Sequence, residues 1–301
     1  MSNFQRGFSL VEAIIVIIIS GIMIAAVALF LRWPFQSYLD AARHEQISDT
    51  VDTALRRIGR DLHIALPNSI RVTQGATTCM EMLPTIAGGR YRTNLTSLGG
   101  GTYLDFTNGS SSFDMFGKFS ALPGQSPALV PPFNLMVVYN LGPTSPGADA
   151  YSQNNTAAIK TFVYPDPNPG APAQETLITL PAVTLFPLAS PSKRFQVIGP
   201  AASAALSYVC MGVGIDGSGN GTGTLTRVAG YGMTPVQACP PPAGGTTTLL
   251  ANNLSLCSIQ YRPAGGTDTT AREGLVSMQF AIEQANDAVN IYNEVHVNNA
   301  P

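Results

Sequence analysis

Glu12 poses the sharpest chemical question in this chain. It is the one ionisable side chain between Phe8 and Leu31, 24 residues that are otherwise apolar or small. A carboxylate inside such a run costs several kcal/mol in hydrocarbon unless it is neutralised or paired, so an acid there is functional by default. The chemistry it asks for is a cation. Cleavage after Gly7 would create one, because Phe8 would then carry a new α-amine four residues before Glu12.

The other chemistry-bearing residues make a shorter case. Cys79, Cys210, Cys239 and Cys257 all lie beyond the apolar run and none has C-x2-C spacing. An even count in an exported domain predicts two disulfides, and four cysteines allow three pairings. The short Pro/Gly-rich loop between Cys239 and Cys257 favours that pair, which leaves Cys79 with Cys210. Asp216, Ser218 and Asn220 alternate before Gly221 like the first half of a calcium loop, a weak metal candidate, because Arg227 stands at the twelfth position, where an acid belongs. "GVGIDG" (212–217) satisfies G-x-G-x-x-G, but "SGNGTG" follows it instead of a helix, so a glycine-rich hairpin is expected rather than a phosphate cradle. His44, His63 and His296 have no nucleophile context, and neither G-x-S-x-G nor H-E-x-x-H occurs. The expectation is a chain that is not an enzyme and carries no cofactor and no structural metal.

Elements long enough to place these residues are legible. A helix of 24 residues is about 36 Å long and spans a bilayer core of about 30 Å with some tilt. An ordinary secretory signal has an apolar region of about 7–15 residues, although Ala26-Val27-Ala28 would pass for its cleavage site. A simple uncleaved anchor would satisfy the length but leave Glu12 without a purpose. Beyond the run, Ile47, Val51, Leu55, Ile58 and Leu62 recur at helical spacing, and Asp52 and Arg56 stand at i,i+4 in the favourable order. Pro34 is expected to kink or locally melt this helix, and Pro67 to end it.

From Ser69 onward the signals are strand and turn. "SIRVTQ", "CMEMLP", "TYLDF", "LMVVYN", "TLITL", "RFQVIG" and "LSYVCM" are short β-prone runs. Late in the chain, Val276, Met278, Phe280 and Ile282 alternate with smaller or polar residues, as do Val289, Ile291, Val295 and Val297, with 283–287 as the hairpin connection. The stretches 164–175 and 239–248 are rich in Pro and Gly and read as surface loops. Gly and Pro together make up 52 of 301 residues, and charged residues 11%, at a net charge of -2. Without a basic cluster, nucleic acid is not an expected partner. The fold class is α+β: one long N-terminal helix packed on an antiparallel β-sheet head.

"RGFSLVEAIIVI" (6–17) resembles the class III signal of type IV pilins and type II secretion pseudopilins, with a short leader ending in Gly, then Phe and, further on, Glu. That resemblance implies cleavage between Gly7 and Phe8 by a prepilin peptidase, N-methylation of Phe8, and pairing of Glu12 with a neighbouring subunit's amine as the apolar helices bundle. It implies a leader (1–7), a transmembrane and assembly helix (8–31), an amphipathic continuation (32–66) and a periplasmic β-rich head (67–301). Orientation rests on the resemblance, because Arg6 and the terminal amine face Arg32 and Arg43 across the span and the positive-inside signal is poor. "RDLHIALPNSIRV" (60–72), "CMEMLPTIAGGRYR" (79–92), "LLANNLSLCSIQY" and "EVHVNNAP" resemble the larger minor pilins of MSHA-type (mannose-sensitive haemagglutinin) pili, which belong with the J-type pseudopilins. The partners implied are other minor and major pilins and an inner-membrane assembly platform.

Overall fold

The structure, a computed structural model, describes residues 9–97, 99–119, 134–143, 145, 147–263 and 273–301, with 31–37 and 39–40 described by backbone alone. The chain forms two compact units, Met1–Asp49 and Thr50–Pro301. Helix α1 runs Leu10–His63. Its assignment is unbroken at position 34, so the local melting expected there is not seen: a proline withdraws one donor from the ladder, and the helix continues past it. It ends four residues before Pro67, with Arg60 and His63 in the last turn, where cations favour the helix dipole.

The strands are β1 (Arg71–Thr73), β2 (Thr77–Met82), β3 (Thr85–Arg90), β4 (Ser110–Phe116), β5 (Leu135–Val138), β6 (Thr156–Ala158) and β7 (Thr161–Val163), then β8 (Glu175–Thr184), β9 (Arg194–Ile198), β10 (Ala205–Met211), β11 (Gly223–Tyr231), β12 (Thr246–Arg262), β13 (Glu273–Gln284) and β14 (Asp287–Asn298). They make three antiparallel sheets: β1-β2-β10-β11-β12-β13-β14, β3-β9-β5-β6 and β4-β8-β7. "TYLDF" is the exception among the expected strands. Thr102 donates from both its amide and its hydroxyl to the Asp114 carboxylate (2.7 and 2.9 Å). Asp105 then accepts from the amides of Thr107 and Asn108. Asp105, by capturing these two local backbone donors, favours a turn over a ladder.

In the larger unit the helical stripe is buried: Val51, Leu55, Ile58 and Leu62 are at most 5% exposed. The stripe also carries an acid. Asp61 Oδ2 accepts from the Tyr208 hydroxyl and from Arg227 Nε, each at 2.7 Å. Tyr208 and Arg227 are direct cross-strand partners on β10 and β11, so one carboxylate fixes the helix to two strands. Burial, followed by the charge of Asp61, raises the Tyr208 phenol far above its usual range, so the hydroxyl stays protonated and donates.

The two smaller sheets share a core that includes Phe113, Phe119, Ile178, Phe195 and Val197. Arg92 closes one side with a buried two-point ion pair to Glu175. The loop stretch 164–175 is therefore not wholly decorative, because it delivers Glu175 and the buried Asp166 to the interior. Close by, Asp114 is fully buried. Burial, reinforced by the neighbouring Asp166 carboxyl, pushes Asp114 up to about 6 against the bonds from Thr102. A carboxyl with a folded-state value above its unfolded one stabilises the fold fully below pH ~4 and loses that contribution as pH rises through about 6, a swing of at most ~3 kcal/mol. Asp166 Oδ2 is buried without a donor among the described residues. Asp166→Asn removes the like charge and offers Asp114 an amide N–H. Unfolding measured between pH 4.5 and 8 should show a smaller loss of stability towards alkaline pH in the variant, by ~1 kcal/mol. Parallel pH profiles would contradict this coupling.

The disulfides correct the favoured pairing: Cys79 is bonded to Cys239, and Cys210 to Cys257. Sheet register explains why. Cys79 lies opposite Val209, so Cys210, one residue further along, points to the other face. Adjacent strands thus hold the two sulfurs apart. Cys210 shares the face of Tyr208, which meets α1. β12 carries a register irregularity between Leu254 and Leu256, and its second half comes against β1 and β2, with Gln74 Nε2 donating to the Ile259 carbonyl. That bend brings Cys257 to Cys210 although β11 separates their strands. Cys239, in the Pro-rich loop, reaches Cys79 from the opposite side.

Candidate assembly site on the N-terminal helix

Ser9 opens the helix. Its carbonyl accepts the first helical bond, from Ala13 N at 3.1 Å, and its Oγ accepts from Glu12 N at 3.2 Å. Ser9 is thus the N-cap and Glu12 the third helical residue, the S-x-x-E spacing of a capping box. The charge at Glu12 also sits at the positive end of the macrodipole. Ser9 and Glu12 thus act together as a helix cap, a role whose only signal in the sequence is their spacing. Gly7 and Phe8 lie outside the described residues.

From Leu10 to Phe30 the helix is long and apolar enough to cross a membrane, and none of it is covered by the rest of the chain. Every side chain from Ser9 to Phe30 is exposed, including Ile14, Ile18, Ile22 and Phe30. An apolar surface this large on all sides of a helix is stable only against lipid or other apolar helices. Between such helices, with little water present, Glu12 needs a donor or a cation as its neighbour.

Residues 2–28 match the family model for the prokaryotic N-terminal methylation motif. The match supports a type IV pilin-like or pseudopilin precursor, and with it processing by a prepilin peptidase and assembly with other pilins. The exposed apolar helix is consistent with membrane anchoring and pilus assembly. No curated protein and no solved structure matches the chain.

The remaining candidates lie elsewhere. Asp216, Ser218 and Asn220 fall in the loop joining β10 to β11, which is the expected glycine-rich hairpin. There Asp216 Oδ1 accepts from the amides of Ser218 (2.8 Å) and Asn220 (2.9 Å), and Oδ2 from Asn220 Nδ2 (3.4 Å). Those backbone bonds hold the Asp216 carboxyl below its ordinary value. The loop also clasps the tip of the late hairpin: Asn286 N donates to Gly219 O, and Ala285 N to Asn220 Oδ1. Ala285 and Asn286 both have positive φ, so a two-residue turn connects β13 to β14 within the stretch read as the connection. His296 points outward between buried Val295 and Val297, as its alternation implies. Among the described residues no group of three or more His, Cys, Asp or Glu could hold a metal ion.

Proposed function

We propose that the chain is a minor pilin of the MshO type. It is made as a prepilin, cut after Gly7 and N-methylated at Phe8, and held in the bacterial inner membrane with its head in the periplasm. It then joins the initiating or tip complex of an MSHA-type pilus at the cell surface. The observation that carries this reading is the methylation motif set on an uncovered apolar helix, Leu10–Phe30. Function arises through assembly and not through catalysis. The apolar helix buries against those of other minor and major pilins on the assembly platform, and Glu12 neutralises a neighbour's terminal amine.

The size of the head supports a minor role. Residues 50–301 form a single compact unit, and a domain of this bulk is tolerated best where it need not repeat along a filament. The near alternative is a J-type minor pseudopilin of type II secretion, and a pilus-tip adhesin is a further one. Deletion of the gene separates these readings. For an initiating minor pilin, pili per cell should fall at least tenfold while the few that remain keep their normal length and protein secretion is unchanged. Lost secretion with normal pili would move the chain to the pseudopilin class. Normal pili that no longer adhere would mark an adhesin.

A further inference from the structure

A cleft of about 690 Å³ opens in the larger unit where the end of α1 meets the start of β10 and the end of β11. That volume lies within the range of small-molecule sites. Arg57, Arg60, Arg227 and His63 contribute cationic or basic groups to it, and Asp61 is the one carboxylate in its wall. Arg227 is committed to Asp61 at 2.7 Å, and Arg57 approaches the same oxygen at 3.7 Å. Arg60 is exposed and has no ion-pair partner among the described residues. Three guanidiniums against one carboxylate leave an excess of about two positive charges, in a chain whose net charge is -2. The last-turn carbonyls of α1 offset part of that excess, but a cleft with low-dielectric walls concentrates what remains.

The rest of the lining is apolar or neutral: Ile64, Pro84, Ile86, Pro200 and Leu206 form walls, and Ser203 adds a hydroxyl. Asn134 belongs to the same lining and is 5% exposed, with its Nδ2 lacking an acceptor among the described residues.

The geometry points to a binding site for a small organic anion, with a carboxylate or sulfate head held by Arg57 and Arg60 and an apolar body laid against Ile64, Ile86 and Leu206. A bare inorganic ion would use the charge but leave the apolar walls wet. This site is separate from the N-terminal segment and does not depend on the pilus reading.

Ligand-observed fluorine NMR of 4-fluorobenzoate with the full-length chain in non-ionic detergent tests the proposal. The wild-type chain should broaden the signal, and Arg57→Gln/Arg60→Gln should weaken binding on the order of tenfold or more, because charge-assisted bonds are lost. Arg60→Gln alone, an exposed change that leaves the contacts of Asp61 in place, should weaken it severalfold and keeps the test valid should the double variant misfold. 4-Fluorobenzyl alcohol, the neutral analogue, should show no difference between these chains. No broadening with the wild type, or equal broadening with Arg60→Gln, would overturn the site. Equal binding of the neutral analogue would reduce it to an apolar crevice and overturn its anion character.

Discussion

Glu12→Ala is expected to leave leader cleavage intact while cutting the amount of this subunit in the filament fraction by an order of magnitude or more. In the proposed assembly, substitution removes the carboxylate that a neighbour's amine would meet between apolar helices. The penalty then falls on that amine, which is left buried without a counter-charge, and breaking one half of a buried pair costs about 3–5 kcal/mol. Glu12→Gln should fall between the two, because an amide oxygen still accepts a hydrogen bond but does not neutralise charge. The helix itself should survive. Glu12 N would still donate to Ser9 Oγ, and alanine is a strong helix former. Quantitative immunoblotting of sheared filaments against the membrane fraction measures the effect. Incorporation of Glu12→Ala at the wild-type level would remove the explanation offered for this carboxylate.

The second large effect is on stability. Cys79 and Cys239 are 160 residues apart in sequence, and Cys210 and Cys257 are 47 apart. Constraining the unfolded chain over these loops is worth about 5 and about 4 kcal/mol respectively in the chain-entropy model. Cys79→Ala/Cys239→Ala should therefore destabilise the chain more than Cys210→Ala/Cys257→Ala, and either loss is large beside a typical net stability of 5–15 kcal/mol. Denaturant unfolding followed by tyrosine fluorescence orders the two variants. A larger loss from Cys210→Ala/Cys257→Ala would show that local packing, and not loop closure, dominates. Peptide mapping without reduction should recover Cys79 linked to Cys239.

Local features were readable from the sequence. The stripe Val51-Leu55-Ile58-Leu62 and the alternation in β13 and β14 report single elements, and each element's period shows which face is buried. The fixing points of the fold were not readable, because they join residues far apart. Asp61 meets Tyr208 across 147 positions and Arg227 across 166. Arg92 meets Glu175 across 83 positions, and Glu175 closes a stretch whose composition suggests only a surface loop. The disulfide pairing failed for a related reason: loop length favoured Cys239 with Cys257, whereas the register that sends Cys79 and Cys210 to opposite faces exists only once β2 and β10 have paired. At the N-terminus the legible part was larger. A glycine, a phenylalanine, a glutamate and a long apolar run in register identify the motif without any tertiary information.

Mass spectrometry of the mature N-terminus, with the full chain expressed beside a prepilin peptidase, reads out whether the leader is cut after Gly7. The mature chain is expected to begin at Phe8 and to carry one methyl group on its α-amine. A chain that begins after Ala28, or one that retains Met1 through Gly7 in the presence of active peptidase, would contradict this cleavage.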